Sequence, residues 1–213
     1  NNLAEAFFNV GVYYETGTVV DKDAEKAFAF HMKASTAGIP QAMNRLAGLY
    51  ANGTGVTQDV VAAAGWYQRA ASMGFAPAQI ALGILYEQGA GVSQSRTVAA
   101  GHYSDAAQQG NALAMLRLAN LYAVGVNPGT PEFPRAWAYA KQADDLAKAS
   151  GNQADIDVTA NVITQLEAKM ADTDKAEAKK IYDKLPKPQA AAAAAPTPAA
   201  AAPPAGESKK KSK

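Results

Sequence analysis

Tyr14, Tyr50, Tyr86 and Tyr122 stand 36 residues apart, and two more residue types keep the same step. Ala6, Ala42, Ala78 and Ala114 do so, as do Gly17, Gly53, Gly89 and Gly125. Three residue types in phase over four copies, without a gap, are not a chance alignment. A fixed period in this range marks a solenoid, in which a unit too small to bury its own apolar face packs on its neighbours. Such architectures offer extended surfaces and seldom do chemistry, so the step points to a binding scaffold.

Each copy reads as two helices. The first, helix A, spans roughly Ala6 to Glu15, Ala42 to Ala51, Ala78 to Glu87 and Ala114 to Ala123. At about 3.6 residues per turn, Ala6, Val10, Tyr13 and Tyr14 share one face. Later copies keep it as Ala42, Leu46, Leu49 and Tyr50, then Ala78, Leu82, Leu85 and Tyr86, then Ala114, Leu118, Leu121 and Tyr122. This stripe is expected to be buried. Gly17, Gly53 and Gly89 then terminate helix A with positive φ. A loop valine, Val19, Val56 or Val92, is expected to pin the loop to the core. Asp23, Asp59 and Ser95 recur in step and can cap helix B by accepting from its exposed amides. Helix B carries small residues and aromatics, such as Ala63-Ala64-Gly65-Trp66-Tyr67, and stops near Gly38, Gly74 and Gly110.

The fourth copy departs from the rule. Pro128, Pro131 and Pro134 stiffen its loop, one residue is inserted, and no glycine stop comes before Gly151. Its second helix should therefore run long. Two further helices, about Gln153 to Ala171 and Asp174 to Leu185, have apolar edges at Ile156, Ile163, Leu166 and Met170, and at Ala178, Ile181 and Leu185. A hairpin of this kind suits the end cap that a solenoid needs. From Pro186 onward the chain is mostly alanine, proline and lysine, with no apolar period to bury, and the expectation is a disordered tail. The organisation is thus four repeats over 1–151, capping helices over 152–185 and a tail over 186–213. The fold expected is an all-α, right-handed solenoid of about four helix-turn-helix repeats.

Composition removes several functions. The chain has 213 residues and no cysteine, so disulfides, thiolate nucleophiles and thiolate metal sites are absent together. Hydrophobic residues make up 48%, much of it alanine, which implies thin, closely packed helices rather than a thick centre. Net charge is +1, so no partner follows from global charge. The segment from Pro186 carries five lysines and one glutamate, leaving a mildly acidic body with a basic tip. Lys209-Lys210-Lys211-Ser212-Lys213 could touch an anionic surface weakly and in a salt-sensitive way. No run of about 18 apolar residues exists to form a transmembrane segment. The chain begins Asn1-Asn2-Leu3 without an initiator methionine. Either a leader has been removed or an upstream part is missing; a removed export signal, with a periplasmic or secreted location ahead of a cytoplasmic one, is the expectation.

The pattern A-x3-L-[GA]-x2-Y-x2-G-x-G-V, a polar spacer, D, then A-x2-W-Y-x2-A-A-x2-G resembles the Sel-one-like repeat family, a branch of the tetratricopeptide-like helical solenoids. Ala42 to Gly74 fits nearly throughout. The third copy has Ser95 for the usual aspartate and His102 for the usual tryptophan, and the first has Val19 near the second loop glycine and Phe30-His31 for Trp-Tyr. The likeness covers about residues 3 to 151. The segment Gln165 to Met170 with Ala176-Glu177-Ala178 is similar to closing helices in bacterial exported members. The resemblance implies protein–protein interaction and no catalytic set.

The functional surface is expected on the helix A face opposite the stripe, because in repeats of this architecture helix A lines the concave side. It includes Phe8 and Val12, Asn44 and Gly48, Ile80 and Ile84, and Leu116 and Asn120, with Glu15, Ala51, Glu87 and Ala123 one turn on. Phe8, Val12, Ile80, Ile84 and Leu116 would be apolar where water is expected, which marks a binding patch for a protein or peptide. The competing reading is that neighbouring helices cover them. Arg45 and Arg117 share one register position beside this face. They could clamp an acidic ligand group or pair with Glu15 or Glu87.

Other constellations read as structural. The tyrosines, Trp66, Tyr67, Tyr103, Trp137 and Tyr139 are in phase with the repeat and belong to the core. His31 and His102 have no partner cluster for a metal. The Gly-x-Gly loops lack the lysine and preceding strand of a phosphate loop. No nucleophile elbow or acid/base pair stands out, so no catalytic residue, metal or cofactor is expected. A second functional expectation is a regulatory or exported accessory subunit that positions a partner enzyme.

Overall fold

The repeat tyrosine fixes the loop as well as filling space. In the computed structural model, which describes residues 2–126 and 130–187, the described residues form an α-solenoid of ten helices. The A helices are α1 (Asn2–Thr16), α3 (Pro40–Asn52), α5 (Ala76–Gln88) and α7 (Ala112–Val124). The B helices are α2 (Ala24–Thr36), α4 (Val60–Ser72), α6 (Arg96–Gln108) and α8 (Phe133–Ser150). The chain then forms α9 (Gln153–Glu167) and α10 (Asp172–Lys184).

In all four copies the tyrosine carbonyl accepts from the backbone N–H of the residue that caps helix B. The donors are Asp23 to Tyr14 at 3.0 Å, Asp59 to Tyr50 at 2.9 Å, Ser95 to Tyr86 at 2.8 Å and Glu132 to Tyr122 at 2.8 Å. The last bond survives the one-residue insertion, so Tyr122 and Glu132 keep the hydrogen-bonded spacing of their counterparts. The side chains of Asp23, Asp59 and Ser95 then accept from the first free amides of helix B, as expected of N-caps. Glu132 makes no such bond; proline, at the second helical position, removes a donor there instead.

Gly53 ends α3 in the left-handed region, at φ 67°. The second loop glycine answers a different need. A Cβ on Gly55 would lie 2.1 Å from the carbonyl oxygen of Ala24, and one on Gly91 would lie 2.3 Å from that of Val60. The loop of one repeat thus presses on the start of helix B in the repeat before it. In the first copy Val19 holds this position and is 67% exposed.

Alanine makes the close approach possible. Ala27, Ala63, Ala99 and Ala136 have no exposed surface, nor have Ala34, Ala70, Ala106 and Ala143. These are two register positions of helix B, shifted by one residue in the fourth copy by the insertion. Larger residues fill the spaces between: Leu46, Leu82 and Leu118 are buried from helix A, each worth about 1.5–3 kcal/mol relative to exposure. The repeat tyrosines stack on helix B rings, Tyr14 on Phe30, Tyr86 on His102 and Tyr122 on Tyr139, at centroid distances of 5.6 to 5.8 Å. Tyr50 instead meets Phe28 edge-on.

The long α8 and the hairpin that follows close the stack. Both α9 and α10 pack on α8, where Leu166, Met170 and Ala178 bury against Ala136 and Ala140. Polar contacts hold the same seam. Asp144, buried in α8, accepts from Lys141, Lys148 and Thr159, Trp137 donates to Glu167 at 2.9 Å, and Tyr182 donates to Asp145. The hydrophobic rows indicated the hairpin, but nothing in the repeat register indicated the buried Asp144.

Three expectations need correction. Ala6 and Tyr13 are exposed, and the buried residues of α1 are Ala4 and Gly11. The counterparts of Ala6 are covered by the helix B before them, as Ala78 is by Ala70 and Ala71; among the described residues no helix precedes α1. The loop valine is not a general pin: Val19 is exposed, as is Val20, the register counterpart of Val56 and Val92, which are half-buried. Ile80 is a core residue at 7% exposure, tucked against Ala99, Ala100 and Tyr103, so it cannot form part of an apolar surface patch. The tail expected from Pro186 and its Lys209–Lys213 tip fall, beyond residue 187, outside the described residues.

Candidate functional site

The A helices set four register positions side by side. Phe8, Asn44, Ile80 and Leu116 form one, Val12, Gly48, Ile84 and Asn120 the next. Ile80 apart, the structure leaves Phe8, Val12, Asn44, Gly48, Ile84 and Leu116 half-buried and Asn120 exposed. Leu116 and Ile84 lean on the core cluster around Tyr103. The face is therefore a mixed one, apolar side chains with one flank covered and polar groups between them, rather than a bare apolar patch.

One turn on, the positions alternate as Glu15, Ala51, Glu87 and Ala123. The neighbouring arginine position alternates out of phase, with Arg45 and Arg117 in the second and fourth copies. Each glutamate therefore faces an arginine of the following repeat. In the first pair the ring closes: Arg45 Nη1 donates to Glu15 Oε1 at 3.0 Å, and His31 Nε2 lies 3.1 Å from Glu15 Oε2. Burial pushes the Glu15 carboxyl up, but the His31 hydrogen bond and the Arg45 charge outweigh it and hold Glu15 below its ordinary value. An ionised Glu15 can only accept, so His31 Nε2 carries the proton it donates. The other ring nitrogen, Nδ1, is buried and has no hydrogen-bond partner among the described residues.

The second pair is wired differently. Tyr103, at the register position of His31, donates its hydroxyl to Glu87 Oε2 at 2.8 Å. Burial, and then the adjoining carboxylate, push the Tyr103 phenol far above its ordinary value, so it stays protonated and donates. Among the described residues Arg117 makes neither an ion pair nor a hydrogen bond. Beside it opens a cleft of about 270 Å³ between α5, α6 and α7, lined by Glu87, Arg96, Arg117, Asn120 and Val124 among others. Arg96 reaches across from the start of α6 to the Gly125 carbonyl at 3.3 Å.

The two readings of the arginines are thus divided between them: Arg45 pairs with Glu15, and Arg117 does not pair with Glu87. Sequence reasoning placed Arg45 and Arg117 beside the face but missed His31, Tyr103 and Arg96. His31, Tyr67 and Tyr103 share the step and could have been found by it. Arg96 shares its register position with Ala24 and Val60, and gave no signal. The described residues hold no group of three His, Asp or Glu side chains placed for a metal, and no described helix is long and apolar enough to cross a membrane.

The family model described as Sel1 repeat matches residues 4–39, 40–75, 76–111 and 112–143. Among solved structures, a Sel1 repeat protein from Oxalobacter formigenes is 31% identical, with a TM-score of 0.62 over 77% of this chain and 74% of its own. The protective antigen c5321 of uropathogenic Escherichia coli strains, which displays an SLR fold, is 24% identical with a TM-score of 0.70. That likeness covers 84% of this chain but 37% of the antigen, and it concerns the fold alone. No curated protein matches the chain.

Proposed function

Because the chain belongs to the Sel1 repeat family, a helical scaffold that is in general non-catalytic and commonly mediates protein–protein interaction, we propose that it binds a protein or peptide partner across its A-helix face. One observation carries this reading. Positions that hold the stack together are constant between copies, whereas those on the A-helix face change from copy to copy: Phe8, Asn44 and Leu116 in one row, Val12, Gly48, Ile84 and Asn120 in the next. The half-covered apolar side chains there retain surface to bury, and the polar ones between them set register. An extended segment or a helix laid across the rows would use both.

Capture experiments with matched variants test this. Leu116→Asp and Ile84→Asp each place a charge on the face, whereas Val61→Asp places one on an exposed site of α4. With helicity unchanged, the first two should lose the partner that the wild type and Val61→Asp retain. Equal recovery by all four proteins would refute the assignment of the face.

A further inference from the structure

The two Glu–Arg registers of this solenoid are built alike and finished differently. Glu15 satisfies Arg45 from within the chain. Glu87 stands at the same register position and accepts from the Tyr103 hydroxyl, as Glu15 meets His31, yet Arg117 makes no ion pair among the described residues. A half-buried arginine with no ion pair is an unusual choice, because whatever desolvation its cation suffers goes uncompensated. A second cation, Arg96, lines the same cleft. With Glu87 the only acid among the cleft's lining residues, two positive charges there face one negative charge.

We infer that the cleft between Arg96 and Arg117 receives the side-chain carboxylate of an acidic residue from a bound partner segment, supplying in trans what Glu15 supplies to Arg45 in cis. This rests on the A-helix face being the binding surface and adds the chemistry of one partner position. Arginine suits the role, since its planar fork pairs with both oxygens of a carboxylate. Asn120, exposed on the lip of the cleft, offers an amide that can both donate and accept next to the partner's backbone. Leu121 and Val124 form the apolar part of the lining, and they suit an aliphatic neighbour of the acidic residue. A glutamate side chain is the occupant because the molecule already shows that geometry at the equivalent position, where Arg45 Nη1 lies 3.0 Å from a glutamate oxygen.

The test uses fluorescent end-blocked peptides, in which alternating leucine and glutamate carry the only carboxylates, and a counterpart with glutamine throughout. Binding is followed by anisotropy with the full chain. The glutamate peptide should bind and weaken steeply with salt, and the glutamine peptide should bind at least about tenfold less tightly. Arg117→Gln should lose about tenfold for the glutamate peptide and nothing for the glutamine peptide. Arg45→Gln, which removes a cation already paired, should leave both unchanged. The comparison of peptides on the wild type needs no variant to fold. No binding of the glutamate peptide, or equal binding of both peptides, overturns the inference. So does tighter binding of a third peptide whose only carboxylate is its C-terminus. If Leu116→Asp abolishes capture of the partner while Arg117→Gln leaves it intact, the face stands and the carboxylate site falls.

Discussion

The Tyr103 hydroxyl donates to Glu87 at 2.8 Å, and this bond separates the second half of the solenoid from the first. In the first half His31 and Arg45 share Glu15 between them. In the second half the ring at the position of His31 donates its hydroxyl to the acid, and Arg117 lines the cleft without an ion pair among the described residues.

Removing that hydroxyl should be felt in stability. Tyr103→Phe keeps the buried ring and deletes a hydrogen bond to a charged acceptor, a loss of about 1.5–3 kcal/mol. Urea unfolding followed by circular dichroism would read it as a lower midpoint with an unchanged slope. An unchanged midpoint would mean that the bond contributes nothing net.

Glu15 should make part of the stability depend on acid. Its folded-state pKa lies below the ordinary 4.5, so its contribution is present above that value and is lost as pH falls through the folded-state pKa. Glu15→Gln should therefore melt below the wild type at neutral pH, and the gap should narrow as pH drops under 4.5. His31 and Arg45 are the groups that face this carboxylate. A gap that stays constant down to acid pH would show that the charge on Glu15 contributes nothing.

Two helical glycines should respond in opposite directions. A Cβ on Gly83 would lie 2.5 Å from the Tyr103 ring, whereas one on Gly65 meets nothing within 4 Å. Gly83→Ala should cost about 1–3 kcal/mol through overpacking, while Gly65→Ala should add about 0.4–1 kcal/mol by restricting the unfolded chain. Thermal unfolding of the pair distinguishes close packing from helix propensity, because propensity alone would make both alanines stabilising.

The second loop glycine carries the contact between repeats. Gly55→Ala meets both a positive φ of 71° and the Ala24 carbonyl. The strained backbone alone costs about 1–3 kcal/mol, and the clash adds to it. Hydrogen exchange should show lost protection at the start of α2 as well as in the mutated loop. Loss confined to the loop would contradict the proposed coupling.

Much of the fold could be read from the sequence because the step repeats local chemistry. The glycine after each A helix, the caps Asp23, Asp59 and Ser95, and the long final B helix ending at Gly151 all follow from residues close to them in the chain. Burial followed less well, because it depends on which helix lies across the gap. Ala6 and Ala78 occupy one register position, yet among the described residues only Ala78 of the two has a preceding helix B to cover it. Ile80 shares its position with Asn44 and Leu116, and only contact with Ala99 and Tyr103 shows that it is covered. The cleft was harder still. Arg45 and Arg117 share one register position and each has a glutamate 30 residues before it, and no local pattern shows that only Arg45 pairs with its own.

Photo-crosslinking tests the central claim most directly. A photoreactive amino acid placed at Asn120, exposed on the A-helix face, and one placed at Val61, 66% exposed on α4, sample two surfaces of one protein. The account predicts a specific adduct with the partner from position 120 and none from position 61. An adduct from position 61 with none from position 120 would contradict it.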